Sequence, residues 1–233
     1  MFTKPQTRHF RVNLTLIVMY TMKLKHLILL FFFILIYHVK AWSQDNFSVK
    51  NIKANQLPQK IKYKGNIKIA LQWTDVSGEN FFIATETGIY KNKNNDSEEQ
   101  NAELFAYHYN VRNDTLKQIW KLYDFIKDCP VDIEANFIKN AFKITDLNDD
   151  GTAEIWTMYK TACHGDVSPC TMKIIMYQGG QKFAMRGENK VRISEKEYMG
   201  GEYKFDAAFL EGDKKFRDFA LRLWNDNILQ SFE

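Results

Sequence analysis

The stretch FKITDLNDDGTAEIWTMYK, residues 142–160, decides how this chain reads. Oxygen-bearing side chains stand at Asp146, Asn148 and Asp150, Gly151 follows, and Glu154 closes the set. Before the loop come Phe142 and Ile144; after it come Ile155, Trp156, Met158 and Tyr159. Aromatic and β-branched residues favour pleated backbone, and Gly permits a sharp bend, so the pattern predicts strand, oxygen-rich loop, strand. An EF-hand would need helical flanks and Glu at the twelfth loop position, where this chain has Thr157.

Calcium takes about six to eight hard oxygens, which loops deliver at alternate positions. Asp146, Asn148 and Asp150 offer side-chain oxygens, Thr152 its carbonyl, and Glu154 the closing ligand. The expectation is a structural Ca²⁺ that neutralises crowded carboxylates. The competing reading is an acidic hairpin loop with no ion.

Further strands read on both sides of this unit. They are Asn66–Thr74, Asn80–Thr87, Ala102–Val111 and Thr115–Phe125 upstream, Ala141–Thr145 and Glu154–Thr161 in the unit itself, and Thr171–Gln178 and Lys182–Arg186 downstream. Asn113-Asp114 and Gly179-Gly180 tolerate positive φ and predict tight hairpin turns. Lys91–Asn101 is polar and reads as a surface loop, and residues 44–60 as a flexible lead-in to a single domain over 61–233. Phe216, Phe219, Ala220, Leu223 and Trp224 form one helical stripe, with Asp213 as N-cap, so a helix is expected over 213–228. Such a stripe seals an open sheet face or docks a partner.

Trp73-Thr74-Asp75 followed by Phe81–Thr85 echoes Ile144-Thr145-Asp146 followed by Ile155–Tyr159. The fold expected is therefore mainly β: two antiparallel four-stranded meanders with one C-terminal amphipathic helix. Each meander is propeller-blade-like, but two blades cannot close a propeller, which favours a sandwich- or barrel-like body.

Residues 1–43 carry Lys4, Arg8, Arg11, Lys23, Lys25 and Lys40 and no acid. A short basic start (Met22 to His26), an apolar run (Leu27 to Tyr37) and small residues at Ala41 and Ser43 make a secretory signal, with translation starting at Met22 and cleavage near Ser43/Gln44. An uncleaved anchor is the alternative, although the run is short for a span of about 20 residues. Removing 1–43 takes away 6 of the 32 Lys+Arg and leaves 26 against 28 acids, a net of −2. The basic balance lies in the leader, which removes the electrostatic case for a nucleic-acid partner. A periplasmic, outer-envelope or secreted protein is expected, with no transmembrane segment after cleavage.

Export permits disulfides. Cys163 and Cys170 bracket a loop with turn residues, which predicts a Cys163–Cys170 bridge and a free Cys129; three unpaired thiols is the alternative. The same loop holds His164, Asp166 and Ser168, expected to close the loop or contact a ligand rather than catalyse. His108 lies in a strand, where a hydrogen-bonded sheet histidine is expected. No GxSxG, HExxH or phosphate-binding Gly loop is present, and carboxylate pairs for glycoside hydrolysis are a matter of space rather than spacing.

Four segments, FKITDLNDDGTAEIWTMYKTACHGDVSP (142–169), TMKIIMYQGGQKFAMRG (171–187), YMGGEYKFD (198–206) and FRDFALRLWN (216–225), together resemble a family of exported proteins of Bacteroidota labelled surface polysaccharide biosynthesis proteins. The 146–154 loop resembles the calcium motif of integrin-type FG-GAP repeats, with Glu154 where those usually have Asp. The first resemblance implies a part in making or displaying surface polysaccharide and carries no catalytic residue. The function expected is non-enzymatic binding of a glycan or cell-envelope component, with an envelope carbohydrate hydrolase as the alternative.

Overall fold

Every long strand of this protein is paired antiparallel to its neighbour in sequence, as hairpin turns demand. A computed structural model describes residues 47–91 and 98–230. The leader 1–43, the start of the lead-in and residues 92–97 of the polar loop lie outside the described residues. The first sheet runs in order β1 (Lys50–Asn51), β2 (Asn66–Asp75), β3 (Gly78–Lys91), β4 (Gln100–Arg112) and β5 (Thr115–Cys129). Asn113 and Asp114 make the β4–β5 turn with φ of 50° and 56°, the left-handed pair that suits a two-residue hairpin.

The second sheet contains β6 (Ile133–Phe137), β7 (Lys143–Thr145), β8 (Glu154–Cys163), β9 (Thr171–Gln178) and β10 (Gln181–Glu188). β7 to β10 are the expected second meander; β6 pairs with the far end of β8. A small sheet joins β11 (Lys190–Arg192) to β12 (Tyr198–Gly200), and β13 (Tyr203–Phe205) extends the second sheet beside β10. Two helices follow, α1 (Ala207–Glu211) and α2 (Lys214–Asn227), and then β14 (Leu229–Gln230), parallel to β11. Neither large sheet closes on itself, so the body is an open pair of sheets rather than a barrel.

Alternation along the strands sets three apolar layers. Leu71, Phe82, Leu104 and Trp120 of the first sheet meet Ile155, Ile175 and Tyr177 of the second. The other face of the second sheet, with Trp156, Met158, Ile174 and Phe183, is sealed by Phe209 of α1 and by Phe216, Ala220, Leu223 and Trp224 of α2. Asp213 caps α2, its carboxylate accepting from Lys215 N. The outer face of the first sheet carries Phe81, Ile83, Phe105, Tyr107 and Tyr109.

Residues 47–60 differ from the flexible lead-in expected. β1 pairs with β2, and the chain then crosses the outer face of the first sheet. Ile61 is buried there, Tyr109 donates to Lys62 O, and Lys64 N donates to Tyr107 Oη. The segment is polar in sequence but has Ile52, Leu57 and Ile61 to lay on that face.

Cys129, at the end of β5, is bonded to Cys163, at the end of β8, and Cys170 is a buried free thiol. This corrects the expected Cys163–Cys170 bridge. Thr161 faces Thr171 in the β8–β9 register, so Cys163 and Cys170 project on opposite faces of that hairpin. The bridge ties one sheet to the other instead. A disulfide marks an oxidising, extracytoplasmic compartment. Among the described residues, no helix is long and apolar enough to cross a membrane.

Candidate functional site

The 146–154 loop is built on its own amides. Asp146 accepts from Asp150 N at 3.0 Å and Gly151 N at 3.1 Å, and Asp150 accepts from Thr152 N at 2.7 Å. Gln178 Nε2 donates to Asn148 Oδ1 at 3.3 Å and Asp150 Oδ2 at 2.9 Å. Lys215 of α2 lies 3.2 Å from Asp149.

Glu154 is fully buried. It accepts from Thr145 Oγ1 at 2.6 Å and from Leu147 N at 2.9 Å. Burial pushes its carboxyl above the usual range, against those two hydrogen bonds, and Asp146 and Asp150 push the same way. The donors suit calcium in kind, hard oxygens on a short loop. Their arrangement is not that of a cage: among the described residues no group of three or more His, Cys, Asp or Glu is placed to hold a metal ion.

The loop docks on the β2–β3 turn. Val76 N donates to Gly151 O at 3.1 Å, and Ala153 N donates to Asp75 Oδ2 at 3.2 Å. Asp75 also accepts from Ser77 N, Ser77 Oγ and Trp73 Nε1. Burial works to raise its carboxyl, but these donors outweigh burial and hold it below the usual range.

This docking forms one wall of a cleft of about 330 Å³ at the end of the two sheets. Ser77, His108, Asn110, Arg112 and Lys117 come from the first sheet and its turns; Thr152, Ala153 and Gly179 come from the second. His108 is 5% exposed and stacks on Trp73 with centroids 5.6 Å apart. Its Nε2 is 2.9 Å from Asn80 Oδ1. Asn80 Nδ2 donates to Gly78 O, and Asn110 Nδ2 donates to Asn80 Oδ1, so that oxygen is an acceptor. His108 Nε2 therefore carries the proton and Nδ1 is a lone pair. That Nδ1 has no partner, nor has the indole Nε1 of Trp120, its cross-strand neighbour. Burial lowers the His108 pKa to about 4, despite the opposing charge of Asp75, so the ring is neutral at pH 7.

Two other clefts are more open or more polar. One of about 730 Å³ is lined by Asn66, Lys68, Glu86, Asn136, Lys139 and Phe142. Its Glu86 is committed to Lys68 at 3.0 Å and to Phe137 N at 2.8 Å. The other, about 420 Å³, is lined by Lys173, Arg186, Glu188, Lys204 and Asp206. Asp206 is committed to Phe209 N as the cap of α1.

At the opposite end from the His108 cleft, His164 Nδ1 lies 3.4 Å from Asp166, which accepts from Ser168 N at 2.9 Å. His164 Nε2 lies 3.7 Å from Cys170 Sγ. The three expected loop residues are thus brought together, with Cys170 rather than Cys163 as the thiol. That thiol donates to Glu134 at 3.2 Å. Burial, with Glu134 beside it, pushes its pKa up to about 12, so it is held as SH rather than as a nucleophilic thiolate.

On the outer face of the first sheet, Tyr123 stacks on Phe105 at 5.0 Å and on Phe125 at 5.3 Å, and Tyr123 and Phe125 are 49% and 47% exposed. Sequence reading placed His108 in a strand but missed the cleft. The partners that expose its meaning, Asn80 and Trp120, lie on two other strands.

Comparison with family models, with curated proteins and with solved structures gave no match.

Proposed function

We propose that this chain is an exported, non-enzymatic binding protein of the cell envelope that assists surface polysaccharide biosynthesis or display by holding a glycan. The His108 cleft carries the reading. It is concave, walled by two disulfide-linked sheets, and lined by hydroxyl, amide and cationic side chains beside the His108 ring. Sites for small polar ligands have this form, a mostly formed cleft with a few placed polar groups.

The alternative, an envelope carbohydrate hydrolase, asks for two carboxylates about 5–10 Å apart and free to act. Asp75 is the one acid lining the His108 cleft, and four donors saturate it. Glu86 is the one acid lining the largest of the three clefts, and it is ion-paired. Glu188 and Asp206 share the third, where Asp206 serves as a helix cap. These commitments favour binding over hydrolysis.

Calcium on the 146–154 loop belongs to the same proposal. It would stiffen the wall that Thr152 and Ala153 give the cleft, once Gln178 yields Asn148 and Asp150 and Glu154 turns outward. Its role is structural.

Surface polysaccharide of a strain lacking this chain, complemented by wild type and by Asp150→Ala, tests the reading. An altered profile restored by wild type supports it. An unchanged profile on deletion contradicts it, and polysaccharide cleavage lost in Glu188→Gln or Asp206→Asn moves the assignment to hydrolysis.

A further inference from the structure

Three cations stand in register across the second sheet. Arg186 of β10 faces Lys173 of β9 on one side and Lys204 of β13 on the other. Cross-strand partners share a face, so the three side chains rise on one side of the sheet. It is the side of Tyr159 and Ala184, which packs toward the first sheet. Lys173 is partly covered there and reaches Asp124 of β5 at 2.6 Å. Arg186 and Lys204 run out from that cover and are exposed. Like charges directly opposite one another weaken a sheet. Among the described residues, neither Arg186 nor Lys204 has an ion pair to offset that cost. Burial first, and then the charge of Arg186, holds the Lys182 amine below its usual range, so the field extends along β10.

Gly187 makes the row possible. A Cβ there would stand 1.9 Å from Glu202 O, so the missing side chain lets β13 lie against β10 and sets Lys204 beside Arg186. The row lines the cleft of about 420 Å³, which shares no lining residue with the His108 cleft. Thr171, Glu188 and Asp206 line it too. Asp206 uses Oδ1 to cap α1, and Glu188 is exposed. Neither acid is ion-paired to the row. A bare anion would be drawn by the cations and repelled by these carboxylates. A ligand with an oxyanion and hydroxyl donors suits both, since a guanidinium pairs with carboxylate or phosphate and a carboxylate accepts from hydroxyls.

We infer that this cleft binds an acidic sugar, its carboxylate or phosphate on Arg186 and Lys204 and its hydroxyls on Glu188 and Asp206. The anion site stands on the row itself. Its assignment to a sugar rests on the glycan-binding reading, to which it adds a second site with a stated ligand class.

The test is a ¹⁵N NMR titration of the exported protein with glucuronate, glucose 1-phosphate, glucose and inorganic phosphate. One or both acidic sugars should shift the amides of Thr171, Arg186, Gly187 and Lys204 together, and the tighter of the two names the oxyanion. Glucose, without an oxyanion, should bind at least about tenfold more weakly. Inorganic phosphate, without hydroxyls for the carboxylates, should bind about tenfold more weakly than glucose 1-phosphate. Arg186→Gln removes an exposed charge and should weaken the acidic sugars about tenfold. Lys60→Gln removes the same charge from an exposed position on the segment that crosses the first sheet, and should leave that affinity unchanged.

The wild-type titration does not depend on any variant folding. Amides of the row unmoved by both acidic sugars overturn the inference, and so does equal weakening by Lys60→Gln, which marks bulk charge alone. Inorganic phosphate as tight as glucose 1-phosphate overturns the sugar and leaves a plain anion site. If whole polysaccharide binds wild type and Arg186→Gln equally well, this site falls and the general reading stands. If acidic sugars bind here while deletion leaves surface polysaccharide unchanged, the site stands and the general reading falls.

Discussion

Cys129 and Cys163 join the last residue of β5 in one sheet to the last residue of β8 in the other, across a sequence separation of 34. Closing a loop of that length removes about 4 kcal/mol of chain entropy from the unfolded state. Cys129→Ser should therefore lower stability by roughly 2–4 kcal/mol in urea unfolding. Cys170→Ser should cost less, since it replaces one small hydrogen-bonding side chain with another. Peptide mapping without reduction should recover residues 129 and 163 in one linked fragment. A fragment linking 163 to 170 would contradict the register.

Stability should fall on mild acidification because of His108. Its folded pKa, about 4, lies below the ordinary 6.5, so the unfolded chain takes up the proton first. The contribution is complete above about 6.5 and is lost as pH falls through about 4, a span worth about 3 kcal/mol at most. His108→Phe should flatten that slope while keeping the stack on Trp73. Thermal melts of both proteins across pH 4 to 7 check it; parallel slopes would refute it.

Glu154 works in the opposite direction. Its folded pKa is raised, so its contribution is full below the unfolded carboxylate range and is lost as pH rises through the folded value. Glu154→Gln keeps an acceptor for Leu147 N and removes the charge, so its stability at pH 7 should stay within about 1 kcal/mol of wild type. Glu154→Ala leaves Leu147 N unmet and should cost about 1–3 kcal/mol. If calcium closes on Glu154, added Ca²⁺ raises the wild-type melting temperature and not that of Glu154→Gln. An equal rise in both would take Glu154 out of the ligand set.

Gly151 is required twice over. Its φ is 78°, and a Cβ there would stand 2.6 Å from Val76 Cγ1. Gly151→Ala should cost about 1–3 kcal/mol, and Val76→Ala in the same chain should recover part of it. Full recovery would assign the whole cost to the clash and none to the backbone.

The strands of the two meanders were legible because alternation and turn residues coincide. Thr171–Gln178 has the observed bounds, and Asn113-Asp114 makes the turn its residue types demand. The α2 stripe was legible for the same reason, one period sustained over three turns. Ile133–Phe137 was not, because five residues between a proline turn and a short 3-10 turn carry too little pattern. The bulge between Glu86 and Ile89 carries β3 on to Lys91, past the apolar signal that ends at Thr87. Cysteine spacing favoured a local bridge; only the β8–β9 register reveals that Cys163 and Cys170 point apart. The cleft was hidden because its lining, Ser77, His108, Lys117, Thr152 and Gly179 among it, comes from separate strands, loops and turns of both sheets.

The most direct test is calorimetry of the exported protein with surface polysaccharide purified from its own host, alongside His108→Phe. Binding by wild type, weakened about tenfold by the substitution while the melting curve stays cooperative, is the predicted result. No heat from wild type with that polysaccharide, or equal affinity in both proteins, would contradict glycan binding at the His108 cleft.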